Sequence, residues 1–309
     1  MTATNLVARN HGIVPSSAVV ARLREAANDD FQSQHLPALE LHAWQQAAAP
    51  IRFVRAEAPP AAIERIGAPS TRELALLAAD VYNDVPAPPP GYRTASDNDL
   101  ASIGLRTQDL TSPQSAFRAR VYVSEGDGGP HFVVSFRGST GGSDWRANAQ
   151  QGVGLSSDHY ARALLIAKAV ARHPEAQVTI TGHSLGGGLA SAAALASGRD
   201  AQTFNAAGLS NATIRQAEAQ RARSDAGPTP RIAAFYVRGE ILSAVQDGGD
   251  RVAGAIFGGA IGGVLADAPE AYGTRVPLDP MQPVGEKWYQ DNPVARHGMD
   301  WVLSSLGSY

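Results

Sequence analysis

The sequence predicts an α/β fold with a central, mostly parallel sheet flanked by helices. Short β-branched runs alternate along the chain with Ala- and Leu-rich segments of helical spacing, which is the pattern of strand–helix–strand units. The predicted strands are 117–123, 131–136, 177–181, 201–204 and 232–237, and the predicted helices are 158–172, 185–197, 212–223 and 298–306. With 309 residues, 44% of them hydrophobic, the chain can bury one large core of this kind.

The N-terminal part differs from the rest in composition. Residues 1–69 are Ala-rich and helix-prone and end in Pro-rich stretches, so we interpret them as a helical N-terminal appendage. Ser70 and Glu73 then form the Ser-x-x-Glu pattern of a capping box, which predicts the start of a helix. The predicted catalytic domain therefore covers residues 70–309.

Composition and charge exclude several classes of protein. The net charge of −3, with acids and bases interspersed, offers no footprint for nucleic acid. The absence of cysteine excludes disulfides, thiol catalysis and thiolate metal sites. The first twenty residues lack the basic and apolar regions of a secretory signal, and the longest uncharged apolar run, Val252–Ala266, is shorter than the roughly 20 residues of a membrane span. We expect a chain made in the cytoplasm without a classical signal peptide.

One motif carries chemistry. Gly182-His183-Ser184-Leu185-Gly186 has the form Gly-x-Ser-x-Gly and lies between a predicted strand and a predicted helix. In a nucleophile elbow the chain turns sharply from strand to helix, and the serine hydroxyl stands exposed at the helix N-terminus. The context predicts Ser184 as a catalytic nucleophile, with His183 packing against the elbow or orienting it. A chance match in a glycine-rich chain is the alternative.

A serine hydroxyl needs a base, and the base needs an acid that orients it. In hydrolases with this elbow the order along the chain is serine, acid, histidine. Of the eight histidines only His297 lies well downstream of Ser184, which predicts it as the base. Glu240 is the first acid after the predicted strand 232–237, while Asp247 and Asp250 follow in a Gly-rich loop and could reach the base as well.

These residues resemble the class 3 lipases, a branch of the α/β hydrolases. The resemblance is carried by the elbow through Ala190 and by the upstream block Val133–Ser139 with Asp144-Trp145 after it. It implies that Ser139 and Leu185 supply the oxyanion-hole donors and that Trp145 lies in the lid segment as an apolar substrate contact. The family's acid motif is an Asp-Ile-Val-Pro type, whereas this chain has Glu240-Ile241-Leu242-Ser243, so Asp247 remains an alternative acid.

A narrower resemblance, to bacterial phospholipase A1-type effectors with antibacterial activity, is carried by Glu73–Asp84, by Gly154-Leu155 with Tyr160, and by Thr203–Gly208. It implies a serine carboxylester hydrolase that acts on lipids, contacts a membrane surface transiently and is delivered to a target cell envelope as a toxin. It also implies a cognate immunity or inhibitor protein. No metal or organic cofactor and no nucleic-acid partner are expected.

The segment Val252–Ala266 carries glycines at four-residue intervals among apolar residues. Because small residues one turn apart let helices approach closely, it is either a packed core helix or an apolar flap in which Ile256 and Phe257 contact substrate or lipid. Three other functions remain open: an esterase on soluble or neutral esters, a non-enzymatic protein that disrupts membranes through this segment, and a binding module with an inactive site.

Overall fold

The computed structural model describes residues 68–307 except 114, 127, 140–144, 225, 241, 243–269 and 288–289, and it describes the backbone alone for 145–157. The centre of the described part is a seven-stranded sheet in which neighbouring strands are also consecutive along the chain. The strands are β1 Arg93–Thr94, β2 Ala119–Gly126, β3 Gly129–Phe136, β4 Gln177–His183, β5 Ala201–Phe204, β6 Ile232–Val237 and β7 Thr274–Leu278.

The sheet is mixed, with the parallel part next to the elbow. Strands β1 to β3 pair in antiparallel fashion, and β3 to β7 are all parallel. The register pairs Phe136 with Gly182 and His183 with Phe204. The carboxyl ends of β3, β4 and β5 therefore meet at one edge of the sheet, which is where ligands bind in open α/β sheets.

Helices cover both faces of this sheet. They are α1 Thr71–Asp80, α2 Asp97–Ser102, α3 Trp145–Ala171, α4 Leu185–Ser197, α5 Asn211–Ser224 and α6 Met299–Ser305, with 3₁₀ turns at Thr107–Leu110 and Ala295–His297. Alternate strand residues enter opposite cores: Val121 and Val123 pack in the core with α3, α4 and α5, while Tyr122 packs with α1 and α6. This two-sided burial follows from the period-2 geometry of a strand.

The predicted α/β fold with a mostly parallel sheet flanked by helices is confirmed. Helix α4 and strands β5 and β6 have the bounds that the pattern predicts. Helix α3 begins at Trp145, thirteen residues before the predicted start at 158, because Gly152 and Gly154 obscure the helical pattern in its first half. Strand β7 was not predicted because it contains Pro277, a residue that sheets accept at an edge, and β7 is the edge strand here.

Helix α1 is fixed to the sheet by a buried carboxylate at its last residue. Asp80 accepts hydrogen bonds from the Tyr122 hydroxyl at 2.7 Å and from the Ala87 backbone N–H at 2.7 Å, and Arg120 lies 3.2 Å away. Burial by itself would raise the pKa of Asp80, but the hydrogen bonds from Tyr122, Ala87 and Asn83 and the charge of Arg120 together lower it. The charged carboxylate therefore holds the chain segment that carries Tyr82, which lies just after α1.

The boundary between an appendage at 1–69 and a catalytic domain at 70–309 stays a prediction, because residues 1–67 lie outside the described part. At residue 70 the predicted capping box is present: the Ser70 hydroxyl accepts from the Glu73 N–H, and the Glu73 carboxylate accepts from the Ser70 N–H at 2.7 Å. Within the residues described, no helix has the length and apolar character needed to cross a membrane.

Candidate active site

Ser184 sits in a strained backbone turn between β4 and α4. Its φ and ψ angles are 59° and −128°, a conformation that residues other than glycine rarely adopt. The turn is held by its own backbone: the Ser184 N–H donates to the Phe204 carbonyl at 3.1 Å, and the Ser184 carbonyl accepts from Gly187 and Ala207 at 2.9 Å each. Such a strained turn at a strand–helix junction is the geometry of a nucleophile elbow.

The two glycines that flank Ser184 in the motif are required by close approach. A Cβ atom on Gly182 would overlap the carbonyl of Gly186, and a Cβ on Gly186 would overlap the carbonyl of Phe136 at the end of β3. The N-terminus of α4 is thus in direct contact with two strand ends. The Gly-x-Ser-x-Gly spacing follows from this contact.

Ser184, His297 and Glu240 form one hydrogen-bonded chain. His297 Nε2 lies 3.0 Å from Ser184 Oγ, and His297 Nδ1 lies 2.7 Å from Glu240 Oε2. The Glu240 side chain is 1% exposed, and that of His297 is 15% exposed. Because an ionised carboxylate only accepts hydrogen bonds, Nδ1 carries the imidazole proton and the Nε2 lone pair faces the serine hydroxyl. This is the tautomer that a general base needs.

The predicted acid, Glu240, is placed by a tight turn after β6. Gly239 has a φ of 73°, and the Glu240 N–H donates to the Val237 carbonyl at 3.0 Å, which turns the chain back toward the sheet edge. Glu240 Oε2 also accepts from the Leu242 N–H at 2.9 Å. Two donors on one oxygen hold the longer glutamate side chain in place where the family pattern has aspartate.

The predicted base, His297, is placed by side chains from neighbouring elements. His297 lies on a 3₁₀ turn, and its carbonyl oxygen accepts from Asn205 Nδ2 at 3.0 Å and lies 2.7 Å from His183 Nε2. Asn205, with a φ of 42°, also donates to the Arg296 carbonyl at 3.1 Å and accepts from the Val237 N–H at 2.9 Å. The amide of Asn205 therefore joins β6 to the backbone of the base.

Arg296, next to His297, contacts the turn that carries Glu240. Its Nη1 donates to the Arg238 carbonyl at 3.1 Å, and the guanidinium pairs with Asp291 through two bonds of 2.5 and 2.7 Å. Its Cζ also lies 5.8 Å from the ring centroid of Trp301. The residue before the base thus contacts the turn that ends in Glu240.

Ser139 and Leu185, which the resemblance implies as oxyanion donors, both adjoin the elbow. Leu185 is the first residue of α4, and Ser139 follows Gly138, where an added Cβ would lie 3.1 Å from Ser184 Cβ. Ser139 is exposed. The assignment of the oxyanion hole to these two residues stays a prediction.

Some predicted residues lie outside what the structure describes. They are Asp247, Ile256 and Phe257, with the side chain of Trp145, whose backbone begins α3. Among the described residues, no three His, Asp or Glu side chains are grouped so that they could hold a metal ion.

Sequence reasoning did not single out Asn205 or Arg296. Asn205 directly follows a buried strand whose end lies beside the elbow, and a polar residue at that point is the signal that could have identified it. Arg296 carried no such signal, because its partners Asp291 and Arg238 come together only in the folded chain.

Comparison with known families identifies the family to which this chain belongs. Residues 73–283 match the Tle-like phospholipase domain, a phospholipase-like family. The chain belongs to the Tle-like phospholipases. The matched range contains Ser184 and Glu240 and ends before His297, so the role of His297 as the base stays a prediction. Family membership makes the chain a lipid ester hydrolase.

The proteins similar to this Tle-like phospholipase include the following two. Over 237 residues it is 32% identical to a protein of Serratia liquefaciens described as extracellular phospholipase A1, covering 75% of this chain and 69% of the relative. The crystal structure of the Lip2 lipase from Yarrowia lipolytica aligns over 68% of this chain and 78% of Lip2, with 14% identity and a TM-score of 0.34.

The amide of Asn205 yields a first prediction. In Asn205→Asp an oxygen replaces Nδ2 and faces the carbonyls of Arg296 and His297, so two hydrogen bonds become repulsive contacts. We expect the free energy of unfolding to fall by about 2 kcal/mol or more and hydrolytic activity to fall with it. Chemical denaturation measures the first quantity. Asn211→Asp, the same change at the exposed start of α5, serves as the control because an acid is tolerated at a helix N-terminus. Equal stability of the two variants would contradict the prediction.

Proposed function

We propose that this chain is a serine phospholipase of the A1 type, in which Ser184 is the nucleophile, His297 the base and Glu240 the acid. The observation that carries the proposal is the continuous hydrogen-bonded chain from Glu240 through His297 to Ser184, at a strained strand–helix turn. Membership of the Tle-like phospholipases and the relative described as extracellular phospholipase A1 support the lipid substrate and the acyl position.

In the first half of the reaction, Ser184 Oγ attacks the carbonyl carbon of the acyl ester while its proton passes to His297 Nε2. The resulting oxyanion accepts hydrogen bonds from the backbone N–H groups of Leu185 and Ser139. The tetrahedral intermediate then collapses, the ester C–O bond breaks, and His297 returns the proton to the departing lysophospholipid oxygen. The acyl group is left on Ser184.

In the second half, water replaces the lysophospholipid. His297 takes a proton from the water, the hydroxide attacks the acyl carbon, and the free fatty acid leaves as the proton returns to Ser184 Oγ. Glu240 stabilises the imidazolium that forms in each half. Because its carboxylate is already buried and bonded to Nδ1, little reorganisation is needed when that charge develops.

An experiment with phospholipid vesicles tests this proposal. Wild type and Ser184→Ala are incubated with phosphatidylglycerol and phosphatidylethanolamine vesicles, and the products are identified by mass. We expect wild type to release the fatty acid of the sn-1 position and a 2-acyl lysolipid, and Ser184→Ala to lose about 10⁴-fold or more of the rate.

Other outcomes would point to the alternative functions. Cleavage of short soluble esters by wild type with no vesicle hydrolysis would make it an esterase. Vesicle leakage that survives Ser184→Ala would favour membrane disruption through residues 252–266. A wild type without hydrolysis of either substrate would favour an inactive binding module.

The identity of the acid has its own test, because the sequence left Asp247 open as an alternative to Glu240. Glu240→Gln and Asp247→Asn each replace one carboxylate by an amide of the same shape. We expect Glu240→Gln to lose roughly 10³- to 10⁴-fold in kcat/KM, because an amide does not favour the Nδ1–H tautomer or stabilise the imidazolium. Asp247→Asn is expected to stay within about threefold of wild type on the same scale. The reverse order would move the acid to Asp247.

We also propose that this phospholipase acts outside the cell that makes it, as an antibacterial toxin. The resemblance to bacterial effectors and the relative described as extracellular support this role. Such a toxin requires a cognate immunity protein in its producer, since the producer has the same phospholipids.

A growth assay tests the toxin role. We expect expression directed to the periplasm of a Gram-negative host to arrest growth, and the same amount of Ser184→Ala to leave growth unchanged. Plating efficiency after induction measures both. Arrest by both proteins, or by neither while lipids are hydrolysed in vitro, would contradict the toxin role.

A further inference from the structure

Tyr82 and His183 form a buried bridge between two backbone segments of the site. The Tyr82 hydroxyl lies 3.0 Å from the Gly138 N–H and 2.9 Å from His183 Nδ1, and His183 Nε2 lies 2.7 Å from the His297 carbonyl oxygen. One end of this chain is the residue before Ser139, and the other end is the backbone of the base. Neither side chain belongs to the Ser184–His297–Glu240 set.

The proton positions in this bridge are determined by its ends. A carbonyl oxygen only accepts, so His183 Nε2 carries a hydrogen. Burial, with the positive charge of His297, lowers the pKa of His183 to about 3, so the ring is neutral and Nδ1 is an acceptor. The Tyr82 hydroxyl therefore donates to Nδ1, and its oxygen accepts from the Gly138 N–H. The other acceptor near Tyr82, the His183 carbonyl, is more distant at 3.4 Å.

The bridge has little room to move. A Cβ atom on Gly138 would overlap the Tyr82 hydroxyl and would lie 2.7 Å from the His183 carbonyl oxygen. The rings of Tyr82 and His183 meet edge to face with centroids 5.8 Å apart, and those of His183 and His297 lie 4.9 Å apart. Tyr82 itself lies two residues after Asp80, which is bonded to Tyr122 and Arg120 in the sheet.

We propose that Tyr82 and His183 are positioning residues that hold the Gly138–Ser139 backbone and the His297 backbone in fixed register with Ser184. The proposal rests on the function proposed above. In the reaction proposed above, Tyr82 sets the distance of the Ser139 donor from the oxyanion. His183 sets the distance of the His297 imidazole from the Ser184 hydroxyl. Apolar packing at these positions could fill the same volume, but it would leave the Gly138 N–H without its acceptor.

Replacing His183 by glutamine or by asparagine tests its two hydrogen bonds one at a time. In His183→Gln the side-chain nitrogen can take the place of Nε2 and keep the bond to the His297 carbonyl. In His183→Asn the side-chain oxygen can take the place of Nδ1, and the bond to His297 is lost. Tyr82→Phe removes the hydroxyl that joins the two segments.

The readout is the reaction of Ser184 with a small fluorophosphonate, in which Ser184 Oγ displaces fluoride from phosphorus while His297 takes the hydroxyl proton. This reaction needs the nucleophile, the base and the oxyanion donors but no lipid. We expect the maximal labelling rate to fall about tenfold or more in His183→Asn and Tyr82→Phe, with the half-saturating probe concentration unchanged. His183→Gln is expected to keep most of the rate.

The labelled fraction at long times separates positioning from folding. A partly unfolded variant labels a smaller fraction at the wild-type rate, whereas a misaligned site labels completely and slowly. His131→Asn is the matched control, because His131 is a buried histidine bonded to Thr179 at the other end of β3. It is expected to label at the wild-type rate.

The outcomes distinguish this proposal from the one it rests on. Wild type that does not react at Ser184 would overturn the serine hydrolase assignment itself. Wild type that reacts, with Tyr82→Phe reacting equally fast, would overturn the bridge alone, and this variant decides the point if His183→Asn does not fold. Equal rates for the folded Asn and Gln variants would also overturn it.

Discussion

The close approach of α4 to the ends of β3 and β4 is the constraint on which the site depends. A Cβ atom on Gly182 would overlap the Gly186 carbonyl, and one on Gly186 would overlap the Phe136 carbonyl. Neither position has space for a side chain. A strained residue such as Ser184 costs about 1–3 kcal/mol. That cost is offset by the surrounding hydrogen bonds, since the Ser184 N–H and carbonyl are both bonded to neighbouring backbone. Helix α4, buried along its length, then packs into the core that contains Val121 and Val123.

The base depends on a different kind of support. Strands place Ser184 and, through a turn, Glu240, but His297 lies on a 3₁₀ turn outside the sheet. Its carbonyl oxygen instead accepts hydrogen bonds from Nε2 of His183, at the end of β4, and from Nδ2 of Asn205, directly after β5. The end of β4, which leads into the elbow, therefore also contacts the backbone of His297. Ser184 and His297 are thus held by the same strand end although they lie 113 positions apart in the chain.

The sequence predicts the parts of this arrangement that are local. Helix α4 and strands β5 and β6 could be located because their patterns are uninterrupted, and Ser184 because glycine spacing reports a steric requirement. His297 and Glu240 followed from chain order, a filter that left Asp247 open. Tyr82, Asn205 and Arg296 could not be assigned roles, because each contacts a residue 58 to 101 positions away. In the case of Asn205 and Arg296 the contact is a backbone carbonyl, which carries no sequence signal. The same is true of β7, whose proline is acceptable only once its edge position is known.

The charges around the base suit a group that must gain and lose a proton. Glu240 is a buried carboxylate bonded to Nδ1, so in the proposed reaction the imidazolium has its counter-ion in place. The neighbouring His183 ring is only 4.9 Å away, and a second positive charge there would oppose that imidazolium. Burial lowers the pKa of His183 to about 3, so this ring stays neutral, and Arg296 is paired with Asp291. The residues that hold His297 in place thus add no unpaired positive charge beside it, so the support of the base does not work against its protonation.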